Sequence, residues 1–240
     1  MHPLPPSLAH SLAAIDWPAL TDSLDQDGSA VVRNLLSVTQ CRQLSDLYAQ
    51  PALFRSRVIM ARHGFGRGEY QYFRYPLPDI VQPLRESLYP LLVPLANRWN
   101  EHMGLTVRYP TTHGDFIQRC HAAGQQRPTP LLLQYDPQDY NCLHQDLYGE
   151  HVFPLQVAIL LSEPGRDFTG GEFVLTEQRP RQQSRPQVVD LKQGDALVFA
   201  VHQRPVQGVR GYYRVNMRHG VSRVHSGRRH TLGIIFHDAQ

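Results

Sequence analysis

The chain has 240 residues, 41% hydrophobic and 19% charged, with a net charge of +3. That is the balance of a globular protein able to bury a full core. No apolar run is long enough to span a membrane, and the first residues lack the basic-then-apolar pattern of a signal peptide, so a cytoplasmic protein is expected. Cys41, Cys120 and Cys142 lie far apart in no metal or redox spacing and read as reduced thiols.

In chain order, residues 7–24 suggest a helical entry interrupted by Pro18 and ended by Asp27-Gly28, followed by a short strand at Ala30-Val31-Val32. Ser37 with Gln40 forms a capping-box pattern that opens a helix with Cys41, Leu44, Leu47 and Tyr48 on one face. Residues 57–75 predict two strands around a flexible loop holding Gly64, Gly66 and Gly68. The strongest helical period lies at 79–103 (Val81, Leu84, Leu88, Leu91, Leu92, Leu95, Trp99), although Pro90 and Pro94 predict a kink or a split. A short helix follows at 112–123.

From Pro130 the character changes to short apolar runs separated by turn residues, at 131–135, 142–146, 154–161, 172–176, 188–191, 196–199, 212–221 and 230–237. Eight strands after a helical half predict an α+β fold, a double-sheet jelly roll backed by N-terminal helices. A single domain over 1–240 is expected, with 1–126 mainly helical support and 127–240 the jelly-roll core. The Gln/Arg/Pro/Ser stretch at 177–187 reads as a mobile loop between strands.

His144-Gln145-Asp146 is the chain's most informative motif. Strand side chains alternate, so His144 and Asp146 would share a face while Gln145 points away. One more ligand must come from elsewhere. His230 adjoins Arg229 and would face opposite to it, His225 and His202 fall in turn-like sequence, and His237 sits at a frayed end. His219 lies on a clean alternating strand, sharing a face with Tyr213, Val215, Met217 and Val221. Two imidazoles and a carboxylate, with no cysteine, suit Fe(II) with open coordination positions rather than structural zinc. Arg229, ten residues beyond His219, can hold a dicarboxylate beside the metal.

The stretch from His219 through Val221, Val224 and Gly227 to Arg229 resembles the C-terminal signature of Fe(II)/2-oxoglutarate-dependent dioxygenases. Gly170-Gly171-Glu172-Phe173 and Gly194-Asp195-Ala196-Leu197-Val198-Phe199 resemble intervening strands of its prolyl-hydroxylase-like members. Leu132-Leu133-Gln134-Tyr135, Leu143-His144-Gln145-Asp146 and Arg218-His219-Gly220 are similar to AlkB-type oxygenases. The whole chain, including Arg62-His63-Gly64-Phe65-Gly66 and Asn97-Arg98-Trp99-Asn100-Glu101, resembles a bacterial oxygenase family linked to damaged nucleic acid.

The resemblance implies that Fe(II), 2-oxoglutarate and O2 are used, that ascorbate can serve as reductant, and that decarboxylation of 2-oxoglutarate to succinate is coupled to C–H hydroxylation or oxidative demethylation. Arg229 would clamp the distal carboxylate, with Thr231 adding a hydroxyl. Tyr135 reads either as a further carboxylate donor or as a core tyrosine with its hydroxyl at the rim. No catalytic residue is required beyond the metal ligands.

A nucleic-acid substrate would need phosphate contacts and a pocket for an extruded base. Arg62, Arg67, Arg179, Arg181, Arg185, Arg204, Arg210, Arg214 and Arg218 are candidates for the first, and Tyr70, Tyr72 and Phe73 for stacking. Against this stand the modest net charge and one departure from the AlkB signature, which carries Asn two residues after its first Arg and then a second Arg. Here Thr231 stands at the first of these positions and no Arg lies near Ile235. A protein-side-chain or small-molecule hydroxylase remains an alternative, as does a metal-binding or sensory module without turnover.

Overall fold

The computed structural model describes residues 5–240, apart from the side chain of Ser7; residues 1–4, part of the segment read for a signal peptide, lie outside it. The chain runs through α1 (Pro6–Ala13), α2 (Trp17–Asp27), β1 (Ser29–Val32), α3 (Val38–Asp46), β2 (Phe54–Ile59), β3 (Gly66–Arg67), β4 (Glu69–Phe73), α4 (Val81–His102) and α5 (His113–Ala122). It continues through β5 (Leu131–Tyr135), β6 (Tyr140–His144), β7 (Leu155–Leu160), β8 (Phe168–Gly170), β9 (Phe173–Gln178) and β10 (Arg185–Val189). The last strands are β11 (Ala196–Ala200), β12 (Gln203–Gly208), β13 (Gly211–Val221), β14 (Val224–Gly227) and β15 (Arg229–Ile234). No described helix is long and apolar enough to cross a membrane.

One sheet has the order β1-β11-β7-β15-β5-β4-β2, the other β10-β9-β13-β6-β3, with β12 added beside β13. All pairings between these strands are antiparallel. This is the α+β jelly roll expected. The residues before position 127 do more than support it, since β1, β2 and β4 are strands of the larger sheet.

Side-chain parity explains the layers. On β7, Val157 and Ile159 join the core cluster shared with the helices, while Ala158 and Leu160 join the cluster between the sheets. A strand covered on both faces reads as an unbroken apolar run, and all six residues of β7 are buried. The expected α4 face is buried except for Leu91, which is exposed. The predicted split does not occur: Pro90 and Pro94 sit inside one continuous helix. Twelve buried side chains pack this helix down, enough to override the two lost backbone donors. Ser37 and Gln40 form the expected capping box.

Several segments read as loops or turns are strands. Gln203 and Arg204 belong to β12, and His225 lies on β14 rather than at a turn. Glu177 and Gln178 end β9 and Arg185 begins β10, so the predicted mobile loop is a short hairpin connection. Arg204 is fully buried, so it cannot reach a phosphate. Its guanidinium pairs with Glu177 and donates to the carbonyls of Asp25 (2.8 Å) and Gln26 (3.1 Å). A cation there satisfies the open carbonyls at the C-terminal end of α2. Gly28, left-handed at φ 71°, leaves room for it, since a Cβ there would sit 2.6 Å from Arg204 Nε.

The C-terminus is latched rather than frayed. Arg85 is buried inside α4 and donates to the Ile235 carbonyl (2.9 Å), to Asp238 (2.7 Å) and to the Tyr75 hydroxyl (3.0 Å). His237 is 1% exposed and its Nδ1 accepts the Phe153 N–H. Burial, then the nearby Arg85 charge, pushes His237 down to about 4 and His113 down to about 3, so both are neutral in the fold.

A folded-state pKa below the ordinary 6.5 means that the unfolded chain binds these protons first. Stability is therefore expected to fall as pH drops from about 6.5 towards 4, at up to about 1.4 kcal/mol per pH unit for each histidine. Urea melts at pH 7 and pH 5 measure this. Equal stability at the two pH values would remove the argument.

Candidate metal and co-substrate site

His144 closes β6, but Asp146 does not share the strand, which ends at His144 and leaves Asp146 in the following coil. That coil is held from three sides. Gln145 Nε2 donates to the Met217 carbonyl on β13 (2.7 Å), so Gln145 does not simply point away from the site. The fully buried Gln125 donates to the carbonyls of Tyr148 (3.0 Å) and His151 (3.1 Å) and accepts the His151 N–H (2.7 Å). Gln125 also donates to the Asp238 carbonyl (2.6 Å), tying the coil to the C-terminal latch.

His219 stands on β13 directly opposite His144, and the burial of Val215, Met217 and Val221 between exposed Arg214, Asn216 and Arg218 follows the expected alternation. His144 Nε2 lies 3.5 Å from Asp146 Oδ1 and His219 Nε2 lies 3.4 Å from Asp146 Oδ2. One ligand atom from each of the three lies within 4.8 Å of the others.

Tautomer and orientation are set by neighbours. His144 Nδ1 donates to the Cys142 carbonyl (2.8 Å), which leaves the lone pair on Nε2. The His219 ring packs against Phe173 and Phe199, with centroids 5.9 and 4.7 Å away, and its buried Nδ1 has no hydrogen-bond partner. Burial, then the charge of His144, lowers the His219 pKa against the pull of Asp146. Burial opposes ionisation of Asp146, but His219, His144 and the Tyr148 hydroxyl together outweigh it and hold the carboxyl below its usual range. The donor set is two imidazoles around a carboxylate, at N···O separations of 3.4 and 3.5 Å, longer than a charge-assisted hydrogen bond. A divalent cation between them fits.

Sequence reasoning missed Tyr148, whose hydroxyl donates to Asp146 Oδ1 at 2.6 Å. Its place two residues beyond Asp146, outside any strand, offered no periodic signal. An outer partner of this kind orients the ligand, and losing one typically costs about 10–100-fold in metal affinity or activity. Tyr148→Phe is expected to weaken Fe(II) binding by about that factor. Titration calorimetry under argon measures it, and unchanged affinity would reduce Tyr148 to a packing role.

Arg229 and Thr231 occupy β15 opposite Tyr135 and Leu133 of β5. Arg229 is 1% exposed, donates to Thr231 Oγ1 (2.5 Å) and faces the rings of Tyr135 and Phe168 at 5.6 and 5.8 Å. Its Nε has no hydrogen-bond partner, and among the described residues no carboxylate pairs with it. Burial lowers its pKa to about 10, which leaves it charged at neutral pH. Tyr135 is fully buried, and its hydroxyl accepts a long bond from Asn141 (3.4 Å).

Tyr135 packs in the core between the sheets and also lines the site. His230 faces the other way and bonds Gln134 (3.1 Å).

A cavity of about 340 Å³ joins these parts. His144, Asp146, His219, Arg229, Thr231 and Tyr135 all line it, as do Tyr70 and Tyr72. Phe73, on the opposite face of β4, stacks on Phe54 in the helix-side core and cannot reach it. Phe65, half exposed, lines the cavity beside Gly64, flanked by the exposed Arg62 and Arg67. Gly66 pins this loop to β6, because with φ at 125° a Cβ would come within 2.4 Å of the Tyr140 carbonyl. Of the other candidate phosphate contacts, Arg179 and Arg185 lie against Glu177, Arg214 donates to the Met103 carbonyl, and Arg181, Arg210 and Arg218 are exposed.

Two uncharacterized proteins from two strains of Mycobacterium tuberculosis are each 50% identical to this chain over 167 residues, covering 70% of it and 72% of their own length. Among solved structures, a Pseudomonas putida prolyl-4-hydroxylase aligns over 93% of this chain and 99% of its own, with TM-score 0.53 and 14% identity. A Trichoplax adhaerens prolyl hydroxylase, solved with a hypoxia-inducible-factor peptide, aligns over 97% and 90% with TM-score 0.56 and 16% identity. A 2OG-Fe(II) oxygenase-family oxidoreductase from Burkholderia pseudomallei aligns over 94% and 93% with TM-score 0.50 and 17% identity. At such identities the likeness is one of fold. A sequence model of oxygenases described as catalysing oxidative methylation of damaged DNA matches residues 68–239. The chain belongs to that oxygenase family.

Proposed function

We propose that this oxygenase binds Fe(II) through His144, Asp146 and His219, holds 2-oxoglutarate through Arg229, Thr231 and Tyr135, and oxidises N-methyl groups on damaged nucleic acid. The observation that carries the reading is a cavity that joins the His144-Asp146-His219 cluster to a buried guanidinium with no carboxylate partner among the described residues. The cluster calls for a cation and the guanidinium for an anion.

When bound, iron and 2-oxoglutarate supply the oxidising power, with O2 consumed and succinate and CO2 released as a substrate C–H becomes C–OH. The chain's own residues bind, orient and exclude water. Cys142 O and the rings of Phe173 and Phe199 fix the two imidazoles, and Tyr148 fixes the carboxylate. Arg229 and Thr231 set the co-substrate's direction from the closed end of the cavity, while the apolar walls of Leu131, Leu133, Ala158 and Val221 keep bulk water out. A flat base extruded from a strand would lie against Tyr70 and Tyr72, with Phe65, Arg62 and Arg67 at the mouth to meet its neighbours and phosphates. A hydroxylated N-methyl group departs as formaldehyde.

The test is oxygen-dependent formaldehyde release from methylated single-stranded oligonucleotides. Stoichiometric formaldehyde and succinate are expected. Succinate without formaldehyde across a panel of methylated bases would leave the oxygenase chemistry standing and remove the nucleic-acid substrate.

A further inference from the structure

Gln156 is 5% exposed, lines the cavity, and its side-chain oxygen has no hydrogen-bond partner. A buried amide oxygen left unpaired costs stability unless something supplies a donor. Its place follows from register. On β7, Leu160 pairs with Thr231 and Ala158 with Gly233 of β15, so Gln156 stands four residues from the co-substrate end, on the same face. At about 3.3 Å per residue that is about 13 Å along the strand. A five-carbon diacid spans only about 5 Å between its carboxyl carbons at ordinary bond lengths, so one clamped at Arg229 ends short of Gln156.

Across the sheet Gln156 pairs with Phe199, whose ring lies 4.7 Å from that of His219. The amide therefore sits beside the metal cluster, at the end away from Arg229. The surrounding lining from Leu131, Ala158, Gly233, Tyr70 and Tyr72 is apolar or aromatic, which suits the faces of a flat ring.

We propose that Gln156 determines substrate specificity by accepting a hydrogen bond from an N–H donor on the edge of a flat heterocycle held in this cavity. The proposal rests on the reading of the substrate as methylated nucleic acid. With the amide oxygen turned to the cavity, the site favours a substrate that offers the donor; a carbonyl analogue meets that oxygen unless the amide turns over to present Nε2.

The test uses the full chain and two single-stranded, fluorescein-labelled oligonucleotides that differ at one base, N3-methylcytosine with an exocyclic amino group and N3-methyluracil with a carbonyl in its place. Binding is read by anisotropy without iron, and turnover by formaldehyde release with Fe(II) and 2-oxoglutarate. The unsubstituted protein is expected to favour the amino-bearing base by about ten- to hundredfold in kcat/KM, and to bind it more tightly. Gln156→Leu should bring that ratio to within about threefold, while Gln156→Glu, which keeps an oxygen at the same reach, should retain the preference.

A ratio unchanged in Gln156→Leu would overturn the proposal. So would loss of iron-dependent 2-oxoglutarate binding in Gln156→Leu, which would place the amide on the co-substrate. If the unsubstituted protein forms succinate but neither binds nor demethylates either oligonucleotide, the substrate reading itself fails, and the proposal with it.

Discussion

His219→Ala is expected to abolish iron-dependent binding of 2-oxoglutarate and to reduce turnover by more than the roughly 100-fold that losing even an outer-shell partner can cost. His219 supplies one of three candidate ligand atoms that lie within 4.8 Å of one another, and its ring is buried against Phe173 and Phe199. An alanine leaves His144 and Asp146 facing a hole on the β13 side. Two remaining side chains, each offering one ligand atom, would not hold a divalent cation in a fixed geometry. His225→Ala is the control, because His225 is exposed on β14 and outside the cavity. Iron uptake lost in His225→Ala and kept in His219→Ala would show that β13 is misassigned as the source of the third ligand.

Arg229→Met is expected to act in opposite directions on function and stability. Its guanidinium is buried beside aromatic rings and one hydroxyl, with no carboxylate against it among the described residues. Replacing such a group by an apolar side chain of similar length removes a desolvation cost that one hydroxyl and two ring faces offset only in part. The cofactor-free protein should therefore melt higher, by about 2–4 °C per kcal/mol at this chain length. Affinity for 2-oxoglutarate should fall by about 1.5–3 kcal/mol or more, the worth of hydrogen bonds to a charged group. Iron binding should persist, since His144, Asp146 and His219 lie on β6, the coil after it and β13. A lower melting temperature together with unchanged 2-oxoglutarate affinity would make Arg229 structural. Thermal melts with and without 2-oxoglutarate separate the two outcomes.

Where the sequence was legible, a period or a pairing rule applied. The alternation on β13 singled out His219, which continues the buried face of Val215 and Met217 while Arg214, Asn216 and Arg218 are exposed. β5 was read with its observed bounds because Leu131, Leu132 and Leu133 put apolar residues on both of its faces. Arg229 and Thr231 came from the resemblance, and both fall on one face of β15.

Long-range partners were not legible. Arg204 looked like a surface cation in a turn, yet Glu177 and the end of α2 draw it inside, over a sequence separation of 179 residues to Asp25. Tyr148, Gln125 and Gln156 carry no local pattern, because what gives each its role is a group brought close by folding. The extra strands β8, β12 and β14 escaped for a related reason. They are short, rich in Gly, Pro or polar residues, and stabilised by neighbours rather than by propensity.

The central claim is that His144, Asp146, His219 and Arg229 form one iron and 2-oxoglutarate site. The most direct measurement is anaerobic titration of the purified protein with Fe(II) and then 2-oxoglutarate, followed by admission of O2. The account predicts a weak visible charge-transfer band that needs both additions and is missing in His219→Ala, and succinate once O2 enters. No band and no succinate from the unsubstituted protein under these conditions would contradict it.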